Sequence, residues 1–382
     1  MKFKGLVSGW LLSVAITAVA QNQIASYTTA QQSQLKQLQS EGDFAFGQRR
    51  FADAEKAYLA AIEQGRKTSE PASHQAAVLN SLAAIYSFEG RYTEAESLCQ
   101  QAITLLGATS GETNPELAII FSTLGAVNLH IGKNAKAEQW LQQAIKLFNK
   151  DPGDHHVALL GAYSLLGVAL CSQGKCRQAD QIIQHALTLC EPSRPGCFQG
   201  IATAHVTLAA IYVRRGQYRK AEELYGHALE ATERAYGPSN AMLVPTLSNL
   251  ASLYVRRHRF LEAEASGRRA LEIAAKVLSD SDATAKAALA TGEALAGQER
   301  YEAAEPYFKQ SLAIWERSQG PESLRYAWTL QQYARFLRKT NRSKEASVIE
   351  TRANALVSRS GQTVDVSEFS KDEISQDHIT RR

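Results

Sequence analysis

The 382-residue chain is sparing with several residue types: it has 9 prolines, 5 cysteines and 2 methionines. So little proline excludes collagen-like and polyproline architectures. Charge of one sign is also missing. Lysine plus arginine number 42 against 38 aspartate plus glutamate, a net +4 that is too balanced for a general nucleic-acid binder. Outside the first twenty residues no apolar run approaches the roughly 18 residues that a membrane-spanning helix needs. Phosphate-cradling glycine loops, a GxSxG elbow and an HExxH pair are absent, which removes the commonest catalytic signatures. What remains, with 45% hydrophobic and 21% charged residues, is a globular and predominantly helical composition.

The N-terminus has the form of an export signal. Lys2 and Lys4 precede an apolar run from Gly5 to about Ala18, and Ala18-Val19-Ala20 supplies the small residues that signal peptidase accepts. The run is shorter than a spanning helix needs, so residues 1–20 are expected to be cleaved before Gln21, leaving a periplasmic or secreted protein with no transmembrane span. Residues 21–34 read as a linker. From 357 to 382 the chain turns Ser-, Asp-, Glu- and Lys-rich and reads as a disordered tail.

Between these ends a period of 41 or 42 residues recurs. It is marked by Ala54-Glu55, Ala95-Glu96, Ala137-Glu138, Ala179-Asp180, Ala221-Glu222, Ala263-Glu264, Ala304-Glu305 and Ala346-Ser347. Five residues before the alanine, Gly90, Gly132, Gly174 and Gly216 offer the positive φ of a helix C-terminus. Each unit therefore predicts a helix, a sharp stop and a second helix. Leu82-Ala83, Leu124-Gly125, Leu166-Gly167, Leu208-Ala209 and Leu250-Ala251 place a large residue beside a small one on the first helix, a stripe with a notch in it. A second small residue seven positions after each alanine (Ala61, Ala102, Ala144, Ala186, Ala228, Ala270, Ser311, Ala353) lies on the same face of the second helix. Neither helix can bury its stripe alone, so the units must stack. The acidic residue after the first seven alanines sits in the first turn of the second helix, where it complements the dipole.

The pattern resembles the tetratricopeptide repeat family over residues 35–356. Leu208-Ala209-Ala210-Ile211-Tyr212, Gly216 and Ala221 through Tyr225 to Ala228 carry the likeness, and the long period resembles the repeats of kinesin light chains. The resemblance implies an all-α superhelix of about eight helix-turn-helix units. It also implies a non-enzymatic scaffold that binds a protein or peptide partner, with no cofactor. Family offsets assign the concave groove to Asn80, Phe88 and His130, then to Arg214, Ser248, Arg256, Arg335 and Arg338. The N-terminal groove is thus neutral and the C-terminal groove basic, with Arg215, Arg257 and Arg259 beside it, which suits an acidic extended peptide. The competing assignment for these arginines is a solvated helix end opposing the C-terminal dipole. An alternative class is a non-catalytic envelope sensor of glycan or peptidoglycan fragments, with Phe88, Trp328 and Tyr333 as its candidate aromatic platforms.

Four of the five cysteines crowd into one unit, which in an exported protein points to oxidation. Cys190 with Cys197 is the favoured candidate disulfide and Cys171 with Cys176 a second. Cys99 reads as a core thiol. His155 and His156, near Asp151 and Asp154, are adjacent linker residues whose side chains diverge, so no metal site is expected.

Overall fold

A computed structural model describes residues 34–47, 50–67, 71–107, 114–150, 155–190, 197–277 and 281–359. The expected signal segment, nearly all of the linker, and the tail beyond Arg359 lie outside these residues. The described chain is all-α. In order, the helices are α1 (Gln34–Gly47), α2 (Phe51–Lys67), α3 (Ala72–Phe88), α4 (Tyr92–Gly107), α5 (Pro115–His130), α6 (Asn134–Lys150), α7 (His156–Ser172) and α8 (Cys176–Thr188). They continue with α9 (Cys197–Arg214), α10 (Tyr218–Tyr236), α11 (Leu243–Arg256), α12 (Phe260–Val277), α13 (Asp282–Gly297), α14 (Tyr301–Gln319), α15 (Leu324–Lys339) and α16 (Ser343–Arg359). Odd-numbered helices are the first of each pair and even-numbered ones the second, which makes eight hairpins at the predicted period. Contacts divide the chain into two compact units, residues 1–211 and 212–382.

Within the first unit α1 packs on α2, α3 on α4, α5 on α6 and α7 on α8, and α2, α4 and α6 also meet the first helix that follows them. The second unit repeats this scheme through α11 to α16. Every hairpin turns the same way. The residue after the left-handed position donates its N–H back to a carbonyl in the last turn of the first helix: Arg91 to Tyr86, Lys133 to Asn128, Lys175 to Leu170, Arg259 to Tyr254, Arg300 to Leu295 and Arg342 to Leu337, at 2.8–2.9 Å. That bond closes a helix only if the residue before it takes positive φ. Glycine does so in the four predicted places, but His258, Glu299 and Asn341 do it in the last three hairpins, with φ of 56°, 61° and 62°. A side chain there costs about 1–2 kcal/mol, least for asparagine.

The alanine column is packed to exclusion. Ala54, Ala95, Ala137, Ala179, Ala221, Ala263, Ala304 and Ala346 all have no exposed surface, nor do their partners Ala61, Ala102, Ala144, Ala186, Ala228, Ala270, Ser311 and Ala353. Opposite them the first-helix notch receives a large knob from the second helix. A Cβ on Gly125 would lie 2.5 Å from Leu141, one on Gly167 2.4 Å from Ile183, and one on Gly42 2.4 Å from Tyr58. In the sixth hairpin the knob position is itself Gly267, whose Cβ would strike Thr291 of the next first helix at 2.2 Å. Small residues thus set how near helices approach, both within and between hairpins.

Overpacking at such a contact costs about 1–3 kcal/mol. Gly125→Ala should therefore lower the free energy of unfolding by that amount, and Leu141→Ala in the same chain should recover part of it. Urea denaturation of the four proteins of the double-mutant cycle measures the coupling; purely additive losses would contradict the notch.

Candidate functional site

The acidic residue of the repeat does more than face a helix dipole: it bonds forward to the cation that closes the next hairpin. In the first unit Glu55 accepts from Arg91 at 2.9 Å, and Glu138 lies 3.1 Å from Lys175. In the second unit Glu222 accepts from Arg259 at 2.7 Å, Glu264 from Arg300 at 2.8 Å and Glu305 from Arg342 at 2.8 Å. The first-helix residue five before the cation often joins: Arg91 lies 3.5 Å over the Tyr86 ring and Arg259 4.5 Å over that of Tyr254. Lys309, with further bonds from Tyr333 and Arg342, holds the Glu305 carboxyl at about 2 against the cost of its burial. Each pair is partly solvated and individually weak. Their period makes them a register for stacking.

These clasps revise the charge reading. Arg257 and Arg259 both bond Glu222, so neither adds free positive charge to the binding face. Arg215 leans over the Tyr212 ring at 5.6 Å. Arg214 and Arg256 occupy equivalent positions in the last turns of α9 and α11, the first exposed and the second half-buried. Arg335 and Arg338 are exposed near the end of α15; Arg335 donates to Gln332 at 3.3 Å and Arg338 bonds Glu350. Ser248 differs from expectation. It has no exposed surface, and its hydroxyl bonds the carbonyls of Val244 and Ala283, so it ties α11 to α13 instead of offering a polar group to a ligand.

In the first unit, Asn80 is buried and its Oδ1 has no partner. His130 stacks on Tyr92 with ring centroids 5.4 Å apart; its Nε2 is buried without a partner, and desolvation pushes its pKa down to about 4. Phe88 closes α3, and its side chain lies outside the described residues. Ser87 and Ser172 also have buried hydroxyls without partners. Sequence reasoning passed over Ser172 although it stands at the family offset that selected His130, six residues after the leucine, so the signal was available.

Two of the aromatic platforms of the glycan alternative, Tyr333 and Trp328, are engaged in packing. Tyr333 is buried, stacked with Phe308 and Phe336, and donates to Glu305 at 2.7 Å. Trp328 is partly buried against the same cluster. The sulfurs of Cys190 and Cys197 are joined, with Cα atoms 5.8 Å apart, and so are those of Cys171 and Cys176, with Cα atoms 4.0 Å apart. Cys99 is a buried free thiol whose pKa burial pushes up. Among the described residues no group of three His, Cys, Asp or Glu side chains could hold a metal, and no helix is long and apolar enough to cross a membrane. Asp151 and Asp154, beside the two linker histidines, are not among them.

The paired helices, the small-residue columns and the constant hairpin closure define an α-helical repeat protein. The sequence profile of the tetratricopeptide repeat matches residues 74–150, 116–191, 200–276 and 283–356, so the chain belongs to that family. No curated protein sequence matches it. Among solved structures it is similar to a Rap protein complexed with Competence and Sporulation Factor. The identity is 14%, the match covers 93% of this chain and 97% of that one, and the TM-score is 0.62. It is also similar to the apo quorum sensor NprR from B. thuringiensis, with 12% identity, 92% and 98% coverage and a TM-score of 0.61. NprR in complex with its cognate peptide NprX gives 12% identity, 92% and 98% coverage and 0.55. At these identities the likeness is one of fold.

Two buried groups impose opposite pH dependences on the first unit. The lowered pKa of His130 means the unfolded chain takes up its proton first, so stability is lost as pH falls from about 6.5 to 4. Asp43, whose pKa desolvation raises to about 6 against the hydrogen bond from Tyr58, contributes stability at low pH that disappears as pH rises through 6. Urea midpoints between pH 4 and 7 should therefore decline less on acidification in His130→Phe and more in Asp43→Asn than in the parent. Parallel curves would refute both assignments.

Proposed function

We propose that this chain is an exported, non-catalytic scaffold that binds an extended segment of a partner protein along the first helices of its second unit. Its second unit would select acidic side chains. The observation that carries the reading is the separation of two sets of arginines: Arg257, Arg259, Arg300 and Arg342 are held by glutamates of the preceding hairpin, whereas Arg214 and Arg256 recur at a groove offset. Guanidinium forks one repeat apart match carboxylates spaced along an extended chain.

A peptide partner is supported by the likeness in fold to a Rap protein complexed with Competence and Sporulation Factor and to NprR in complex with its cognate peptide NprX. Export is supported by the signal-like N-terminus and by the two disulfides, because such bonds persist in oxidising compartments. Of the aromatic residues that would support the glycan alternative, Tyr333 is enclosed in the core and Trp328 packs against it.

Fluorescence anisotropy with a labelled Glu-rich peptide tests the acidic preference. Replacing both Arg214 and Arg256 by Ala should weaken binding about tenfold or more and flatten its salt dependence. Unchanged affinity and salt slope would remove the arginines from the site.

A further inference from the structure

The two compact units differ in charge. Residues 34–211 contain 14 Lys and Arg against 16 Asp and Glu, whereas residues 212–359 contain 23 against 17. The excess positive charge lies in the second unit, with exposed Arg335 and Arg338 at one end and Arg214 and Arg256 further along its first helices. The same chain carries the opposite charge just beyond it. Residues 365–377 hold Asp365, Glu368, Asp372, Glu373 and Asp377 against one cation, Lys371, and interleave the apolar Val366, Phe369 and Ile374.

We propose that this C-terminal segment is an intramolecular occupant of the basic first-helix face of the second unit, competing there with the partner peptide. The inference rests on the acidic-peptide reading above. Reach supports it. Helix α16 runs antiparallel to α15 and ends beside its start, where Arg359 lies 3.8 Å from Glu322. From Leu324 to Arg335 and Arg338 along α15 is about 17–21 Å at helical rise. Six to nine extended residues span about 20–30 Å, which brings Asp365 and Glu368 to that pair of arginines.

The first helices α15, α13 and α11 pack in succession. Two helix spacings, about 16–20 Å, separate α15 from Arg256, a distance that the nine further residues from Glu368 to Asp377 can cover at about 30 Å. The tail carboxylates compete with Glu350 for Arg338. A tethered ligand acts at an effective concentration in the millimolar range, so it need not be strong to exclude a free one.

The test uses the full chain, unmodified and with D365N, E368Q, D372N, E373Q and D377N together, which keeps tail length and removes its acidic side chains. Two labelled probes are titrated: a synthetic peptide of residues 364–378 and an alternating Glu-Ser peptide of the same length. The neutralised chain should bind both probes at least about tenfold tighter than the unmodified chain, and R335A with R338A should reverse the gain. Equal affinity of the two chains for the Glu-Ser probe would overturn the tail's role and leave the acidic groove standing. So would binding of Glu-Ser but not of 364–378 by the neutralised chain. Failure of both probes on the neutralised chain would overturn the acidic groove and, with it, this proposal.

Discussion

Helices can approach closely only where their side chains allow it, and every other feature of this protein follows from the positions at which they do. Two columns of small residues on the second helices, and a notch of glycine or alanine on the first, let large knobs such as Tyr58, Leu141 and Ile183 seat against bare backbone. The same packing fixes the hairpin closure. A first helix held that close to its partner must reverse within a few residues, so the left-handed position is occupied even where His258, Glu299 or Asn341 supplies it at a cost.

Once pitch is fixed, charges can be used in register. Glu55, Glu138, Glu222, Glu264 and Glu305, each following a column alanine, meet the cation that closes the next hairpin because both recur with the same period, giving partly solvated clasps on top of an apolar core. This arrangement ties Arg257, Arg259, Arg300 and Arg342 to the stacking of hairpins. Arg257 and Arg256 are neighbours in sequence, yet one bonds Glu222 and the other stands where the family lines its groove.

Much of this was legible in the sequence, for physical reasons. Alanines at a strict period, glycines five residues earlier and leucine-small pairs each encode one packing requirement, so the all-α repeat could be read without coordinates. The forward bond of each glutamate was not legible, since a single repeat explains the residue by its helix dipole and only the stacked neighbour reveals the partner. Ser248 was misassigned for a related reason: its offset is that of a groove residue, but α13 stands close enough for the Ala283 carbonyl to take its hydroxyl. Tyr333 looked like a platform until Phe308 and Phe336 were seen to enclose it. The left-handed His258, Glu299 and Asn341 could be placed only by the period, because none of them announces that conformation as glycine does.

The central claim is that excluded volume at the small-residue columns sets the architecture. Valine scanning tests it most directly, placing valine singly at Ala54, Ala95, Ala137, Ala179, Ala221, Ala263, Ala304 and Ala346 and, as controls, at exposed second-helix positions such as Gln100 and Lys309. Thermal unfolding should show a loss of about 1–3 kcal/mol at every column position and within about 0.5 kcal/mol of the parent at the controls. Column valines tolerated as well as the control valines would contradict the account.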